Sequence, residues 1–411
     1  MPEYYGMTYL KDKLKARAVR VRTRYGWYEQ KARVNDLGIS TPPSLRLKQS
    51  VMGWCAKSVD ALADRLQFRG FENDLLDMSA IYAANNADIL MDSAILSALI
   101  ASCCFIAISP DEEGYPRLQV VDGSCATGRI DPITNMLLEG YAVLETDKRG
   151  RPVTEAYFTA EETVYYRKGQ EPEVWENPAG RALLVPIIHR PDAVRPFGHS
   201  RISRACMSIS EAAARTVKRS EISAEFYSFP QRYIVGLSDD VEIRDKWTAA
   251  MSAMFTISKG DESEKPTIGQ FQQATMSPHM EQLRMFAALF AGETGLTVDD
   301  LGFVSDNPSS AEAIKASHET LRLAARKAQR DFAVGFLNAG YLAACLRDQT
   351  PYERRVITRT KLLWEPIFEP DSAALSGIGD GIIKLNQAVP GYVGGEALRQ
   401  LTGIEGGNGN G

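Results

Sequence analysis

The chain has 411 residues, 44% of them hydrophobic and 24% charged, with 47 basic against 52 acidic side chains and a formal net charge of -5. This is the composition of a folded, water-soluble protein with apolar material for a sizeable core. It argues against static gripping of nucleic acid through phosphate neutralisation, which takes a basic protein, but not against a passage whose weakly interacting walls let nucleic acid slide.

The N-terminus carries Lys11, Lys13, Lys15 and Arg17 with no apolar run behind them, so no secretory signal is expected. Residues 8 to 100 read as mostly helical. Pro42 and Pro43 break the pattern, Ser44 is placed to cap a helix running to about Leu66, and a further helix fits Leu75 to Ile100. The longest apolar run, Ile95 to Ile108, falls short of the roughly 20 residues of a membrane span. We read it as a buried helix end passing into a strand, and expect no membrane association. Between 105 and 190 short β-rich runs alternate with turn residues: LQVV, MLLEGYAVLET, PVTEAYFT, TVYYR and EVWE. These predict an antiparallel β region.

Helical periodicity returns at Ile202, where Ile202, Cys206, Ile209, Ala213 and Val217 form one apolar stripe that Pro230 ends. Residues 230 to 277 are mixed, with a strand at RYIVGL, a helix around Trp247 and the polar loop GDESEKP. Ser277 and Pro278 then open a helix to about Ala291, ended by Gly292 or Gly295. In the loop LGFVSDNPSS, Asn307-Pro308 and the Ser309/Glu312 capping box give two overlapping helix starts. The helix that follows is predicted over Ala311 to Arg347, about 55 Å long at 1.5 Å per residue. Ile314, Leu321, Ala325, Ala328, Phe332, Phe336 and Ala339 hold one face of it. Such length predicts an elongated architecture or an oligomer. A strand-like run, VITRTKLLWEPIF, helices near Asp371 to Ala388 and Gly395 to Leu401, and a flexible GGNGNG tail complete the chain.

No catalytic constellation stands out. There is no G-x-x-x-x-G-K-[ST] loop, and Gly377 to Gly381 lacks dinucleotide spacing and reads as a helix break. None of the four histidines lies in an H-E-x-x-H arrangement. His189, Asp192 and His199 read as a connecting loop, and His318 as a packed or interface side chain. The six cysteines, Cys55, Cys103, Cys104, Cys125, Cys206 and Cys345, have no zinc-site spacing and read as buried free thiols of a reducing compartment. We expect no enzyme, no metal and no cofactor. Two basic stripes remain: Lys315, Arg322, Arg326 and Arg330 on the long helix, and Arg204, Arg215, Lys218 and Arg219 on the earlier one. Glu312, Glu319 and Asp331 interleave the first, so a salt-bridged solvated face competes with contact to DNA or a neighbouring subunit.

This order of elements resembles the portal proteins of tailed bacteriophages, in the family like that of the Bacillus siphophage portals. AIYAANNADILMDSAILSALIASCCFIAI is similar to its early wing helix, with Ala101 and Ser102 where the family often has glycine. PFGHSRIS resembles the entry to the first stem helix, FPQRYIVG the exit into the clip, and PHMEQLRMFAALFAGETGL the second stem helix. DNPSSAEAIKA resembles the tunnel loop and long-helix start, and KLLWEPIFEPD the strand returning to the wing. The resemblance implies an α+β, ring-forming subunit. Its parts would be a wing over 1–200, stem helices at 201–229 and 277–296, a small α/β clip at 230–276 and a tunnel loop at 297–310. A long helix at 311–347 and a return to the wing at 348–411, with a short or absent crown, would follow.

The resemblance also implies a ring, usually of twelve subunits, at the unique capsid vertex, through which double-stranded DNA is packaged and ejected. Its partners would be the terminase large subunit, the head-completion or tail adaptor, and the major capsid and scaffolding proteins. It would assemble in the host cytoplasm and end in the virion. Val304, Ser305, Asp306, Asn307, Pro308 and Ser309 would form the loop beside DNA, and Lys218, Arg219, Arg284, Lys315 and Arg322 are candidate DNA or inter-subunit contacts. Another oligomeric head-morphogenesis or scaffold protein, or a nuclease, are the competing readings.

Overall fold

The computed structural model describes residues 5–35, 49–228, 232–237, 254–258, 267–270, 275–303, 316–368 and 372–402. Helix α1 (Gly6–Tyr28) buries Leu10, Leu14, Ala18 and Val21, one face of a 3.6-residue helix. Next come α2 (Trp54–Ala63), strand β1 (Phe68–Glu72), α3 (Met78–Ala84) and α4 (Ala87–Ala101). The Ser44 cap and the Pro42–Pro43 break lie outside the described residues.

The single helix expected over Leu75 to Ile100 is divided into α3 and α4. Asn86 takes a left-handed φ of 53°, a conformation asparagine tolerates. Its neighbour Asn85 spends its amide on one bond back to α3 and two to strand β3. Nδ2 donates to the Ile81 and Pro116 carbonyls at 2.8 and 3.0 Å, and Oδ1 accepts the Leu118 N–H at 2.9 Å. The break therefore fastens the helices to strand β3.

The β region consists of β2 (Cys103–Pro110), β3 (Pro116–Val121), β4 (Ala126–Ile130), β5 (Leu137–Thr146), β6 (Pro152–Phe158), β7 (Glu162–Arg167), β8 (Glu173–Glu176) and β9 (Leu184–Ile188). It is antiparallel throughout, in a three-stranded sheet ordered β3-β2-β9 and a meander ordered β4-β5-β6-β7-β8. The β-rich runs set between turn residues are β3 and β5 to β8. Strands β2 and β9 showed no alternation because Cys103 to Ile108 and all of β9 are buried on both faces.

Helix α5 (Arg204–Ser228) leads to a small sheet, β10 (Arg232–Leu237), β11 (Met254–Ser258) and β12 (Thr267–Gln270), ordered β11-β10-β12 with β10 and β11 parallel. The expected helix around Trp247 and the GDESEKP loop lie outside the described residues. Helix α6 (Ser277–Thr294) begins one residue earlier than its Ser-Pro signal implied, with Met276 in place of Ser277 as N-cap and no side-chain cap. It ends at Gly295, whose φ of 71° is the left-handed C-cap glycine favours.

Long helix α7 (Glu319–Arg347) buries Leu321, Ala325, Ala328, Phe332, Phe336 and Ala339, the predicted face; Ile314 and the helix start at Ala311 are outside the described residues. It lies directly on the β3-β2-β9 sheet and α3. An added Cβ at Gly335 would meet Ile187 at 2.6 Å, and one at Gly340 would meet Met78 Sδ at 2.6 Å. The buried Tyr82 hydroxyl donates to the Phe336 carbonyl at 2.6 Å.

Strand β13 (Lys361–Trp364) returns to pair with β1, followed by α8 (Ser372–Ala388) and α9 (Gly395–Thr402). Gly377, Gly379 and Gly381 do not break α8 as expected; the helix runs through them. A cost near 1 kcal/mol per glycine weakens a helix without ending it.

Candidate functional site

Helices α5 and α6 form an antiparallel pair that carries the β10–β12 sheet at one end. Small residues let them approach: Ala213 and Ala214 on α5, Ala287 and Ala291 on α6, all buried. Polar contacts mark the register along the pair. Ser203 Oγ donates to Glu293 Oε1 at 2.7 Å, Thr216 Oγ1 to Gln282 Oε1 at 3.0 Å, and Ser223 Oγ meets His279 Nε2 at 3.2 Å. At the base Phe290 packs on Trp54 with ring centroids 5.6 Å apart.

Arg201 anchors this base. Its backbone N–H donates to the Leu99 carbonyl at 2.8 Å and Nε to the Ser58 carbonyl at 3.2 Å, while Nη2 donates to the Thr294 carbonyl. One side chain thus joins α2 to the end of α6, and its backbone adds the last turn of α4. Burial lowers its guanidinium to about 10, so it still carries its charge at neutral pH. Its signal in the sequence was only an arginine inside the PFGHSRIS segment.

The loop before α5 does bring His189, Asp192 and His199 together. His199 Nε2 lies 2.6 Å from Asp192 Oδ2, and His189 Nδ1 lies 2.7 Å from the His199 carbonyl, which makes Nδ1 the protonated nitrogen. His189 is buried and stacks on Phe332 at 6.0 Å, so the cluster is the loop's fastening to α7. Burial, only partly offset by the His199 carbonyl and reinforced by the Arg201 and Arg190 charges, pushes its pKa down to about 3.

The unfolded imidazole titrates near 6.5. Between these values the unfolded chain takes up a proton that the folded chain refuses, so stability falls as pH falls. We predict that urea unfolding will show about 2 kcal/mol less stability at pH 5.0 than at pH 7.5 from this group alone. His189→Asn should be less stable at pH 7.5 but lose less over the same interval; an unchanged slope would remove His189 as the cause.

The candidate loop residues Val304, Ser305, Asp306, Asn307, Pro308 and Ser309, together with Lys315, lie outside the described residues. Their flanks are tied. His318 Nε2 lies 3.3 Å from Asp300 Oδ2, the same oxygen that accepts the Thr297 N–H at 2.8 Å and hydroxyl at 2.9 Å. Burial pushes the Asp300 carboxyl up, but the Thr297 and His318 contacts outweigh it and hold it below the ordinary range. His318 therefore marks the start of α7, with backbone angles outside the helix.

The remaining candidates are scattered. Lys218 is buried, eight residues from Ser210 and four from Ala214 on the inner side of α5. Arg219 is half-buried and Arg284 exposed. Arg322 is held by Glu319, with Nε and Nη2 donating at 2.6 and 2.5 Å, the salt-bridged alternative for that stripe. On α6, Met280, Met285 and Leu289 are exposed, the last two on the face turned away from Ala287, Phe290 and Ala291.

Five of the six cysteines are buried, Cys125 is half-buried, and all are free. Among the described residues no group of three or more His, Cys, Asp or Glu is arranged to hold a metal, and no helix is long and apolar enough to cross a membrane.

No protein-family model matches the chain. It is 27% identical to the portal protein of Mycobacterium phage L5 over 315 residues, spanning 72% of this chain and 65%, just under two thirds, of that protein. It is 26% identical to the portal protein of Mycobacterium phage D29 over 396 residues, spanning 90% of this chain and 81% of that one. Solved structures similar to it include a chain of the virion of a native gene transfer agent particle (TM-score 0.46, 14% identity, 94% and 99% of the two chains). Another is from the neck of that particle computed with C12 symmetry (TM-score 0.45, 16% identity, 94% and 99%). The chain is thus similar in sequence to two phage portal proteins.

Proposed function

We propose that the chain is the repeating subunit of a phage portal ring, a non-enzymatic conduit for double-stranded DNA at one capsid vertex. The observation that carries this reading is the sequence relation to two portal proteins, reaching 90% of the chain. The α5–α6 pair supports it. A helix with one apolar side packed within its own chain and a second one exposed fits a stem lined by copies of itself. Head-to-tail contacts between different faces of one chain close into a ring. Twelve subunits is our expected number.

In this reading the α5–α6 pair is the stem and the β10–β12 region the clip. The clip would receive the terminase large subunit during packaging and an adaptor afterwards. The body around α4, α7 and the β region is the wing, facing capsid and scaffolding proteins. The loop Val304–Ser309 is the tunnel loop, small and polar enough to lie beside DNA without clamping it, with Arg284 and Lys315 as candidate contacts to DNA or to the next subunit. The net charge of -5 suits a channel that does not retain its cargo.

Electron microscopy of the purified chain should show rings with a central channel; another assembly form would favour a different head-morphogenesis or scaffold role. Deleting Val304 to Ser309 should leave subunit folding intact, because the Asp300–His318 contact flanks the deletion, yet lower packaged DNA severalfold. Unchanged packaging would remove that loop from the channel.

A further inference from the structure

The C-terminal hairpin α8–α9 is ordered by its own hydrogen bonds. Asn386 Oδ1 accepts the Val393 N–H at 2.8 Å, and its Nδ2 donates to the Val393 carbonyl at 3.0 Å. Yet no side chain whose burial is described in this hairpin is buried. Its apolar stripe is Leu375, Ile378, Ile382, Leu385 and Val389, spaced three, four, three, four, and the last two are about half exposed, at 49% and 53%. A folded element with a stripe and no core is an element awaiting a partner.

A second surface on the same chain lacks cover. Between α7 and the segment from Thr360 to Phe368 lie two adjoining hollows of about 690 and 380 Å³. Along them α7 presents Leu323, Arg326, Arg330, Ala333 and Leu337, spaced three, four, three, four, with Trp364 forming part of the opposite wall. Leu323 is 55% exposed. Both stripes therefore have the same period and extend over about 21 Å at 1.5 Å per residue. Matching ridges of that spacing are what two helices need to pack.

We infer that the α8–α9 hairpin of one copy of this chain packs its Leu375–Val389 stripe into the groove between α7 and β13 of a second copy. The occupant is argued from the matched period and length, and from the chain's own path. The groove wall runs from Thr360 toward Phe368, alongside Arg322 at the groove's far end, and only residues 369–371 join it to α8. Among the described residues, none lining either hollow belongs to the hairpin, so the chain's own groove is uncovered by it. The contact joins two different faces of the chain, as a closed head-to-tail ring requires. It rests on the ring reading for that closure alone.

The test uses Arg330→Cys and Ile382→Cys, the midpoints of the two stripes, so the pair meets whichever way the helices run. Differently tagged single variants are co-expressed, oxidised with copper phenanthroline and run on a non-reducing gel, with the unsubstituted chain as control. The expected product is a covalent dimer carrying both tags, at least tenfold above dimers carrying one tag. The double variant should give a ladder of covalent oligomers. Cross-linking of the double variant confined to single chains would mean the hairpin folds into its own groove, and overturns the inference. So does the absence of any cross-link. Electron microscopy of the same samples separates the two claims: rings without the cross-link overturn this contact alone, while the mixed dimer without rings overturns the ring.

Discussion

Replacing Gly198 with alanine should lower the stability of the subunit by about 3–5 kcal/mol, the range of the most damaging single changes. Two causes add. Gly198 has a φ of 72°, where an L side chain costs roughly 1–2 kcal/mol. The larger cause is space: an ideal Cβ would stand 2.1 Å from the His189 carbonyl oxygen and 2.8 Å from Ile188 Cγ2. The first neighbour is backbone, and it already accepts the His199 N–H at 2.8 Å. Making room would part the paired backbones of His189 and His199 and loosen the stacking of His189 on Phe332. It would also disturb Arg201, two residues beyond His199, which ties the α5–α6 pair to α2. Gly180→Ala is the matched control. Its φ is 61° but a Cβ there meets nothing within 4 Å, so only the conformational cost of roughly 1–2 kcal/mol applies. Urea unfolding of both variants decides the matter. Equal shifts in midpoint would show that the close approach to His189 carries no energy.

The loop around Gly198 also shows which parts of the architecture were legible in the sequence. Periodic segments were. The α7 face from Leu321 to Ala339 declares itself because its burial follows the helical period, and strands β3 and β5 to β8 because they are short β-rich runs set between turns. Features made by distant partners were not. Strand β1 pairs Phe68 with Trp364 and Glu72 with Lys361, and nothing within its five residues announces a partner almost three hundred positions away. The break at Asn86 depends on Asn85 reaching Pro116 and Leu118, again outside any local window. Lys218 looked like part of a basic stripe because charge was read without the i+4 relation to Ser210 and Ala214, which turns it inward. Gly377 to Gly381 looked like a stop because single-residue propensity was allowed to outvote a helix with an apolar stripe on either side of it. Of the candidate site, the helix pair was readable from the apolar stripe of α5 and from the glycine that ends α6. The role of Arg201 was not, since its carbonyl partners come from three separate elements.

Converting Met285 and Leu289 together to glutamate should abolish assembly while leaving the isolated subunit folded. Both side chains are about half exposed, at 50% and 54%, and they lie four residues apart on the face of α6 opposite its packed side. Because neither contributes to the subunit's core, the substitution removes little from folding, and far-ultraviolet circular dichroism and the urea midpoint should stay close to those of the unsubstituted chain. Against a neighbouring copy the balance differs. Covering the exposed half of each side chain is worth about 1 kcal/mol. Placing carboxylates there instead desolvates charge with no partner provided, at a cost of several kcal/mol per contact. At 1.4 kcal/mol per factor of ten, each contact would weaken a hundredfold or more. Every subunit of a ring makes that contact on both sides, so closure should fail at all accessible concentrations. Light scattering coupled to size exclusion would then report a folded monomer. Leu323→Glu on α7 offers the comparison that gives this result its meaning. If it also loosens the ring, α6 and the α7 groove both contribute to the interface. If only the α6 variant falls apart, the stem holds the ring together by itself. Rings that persist in the Met285→Glu/Leu289→Glu variant would show that α6 turns its apolar face toward something other than a neighbouring subunit.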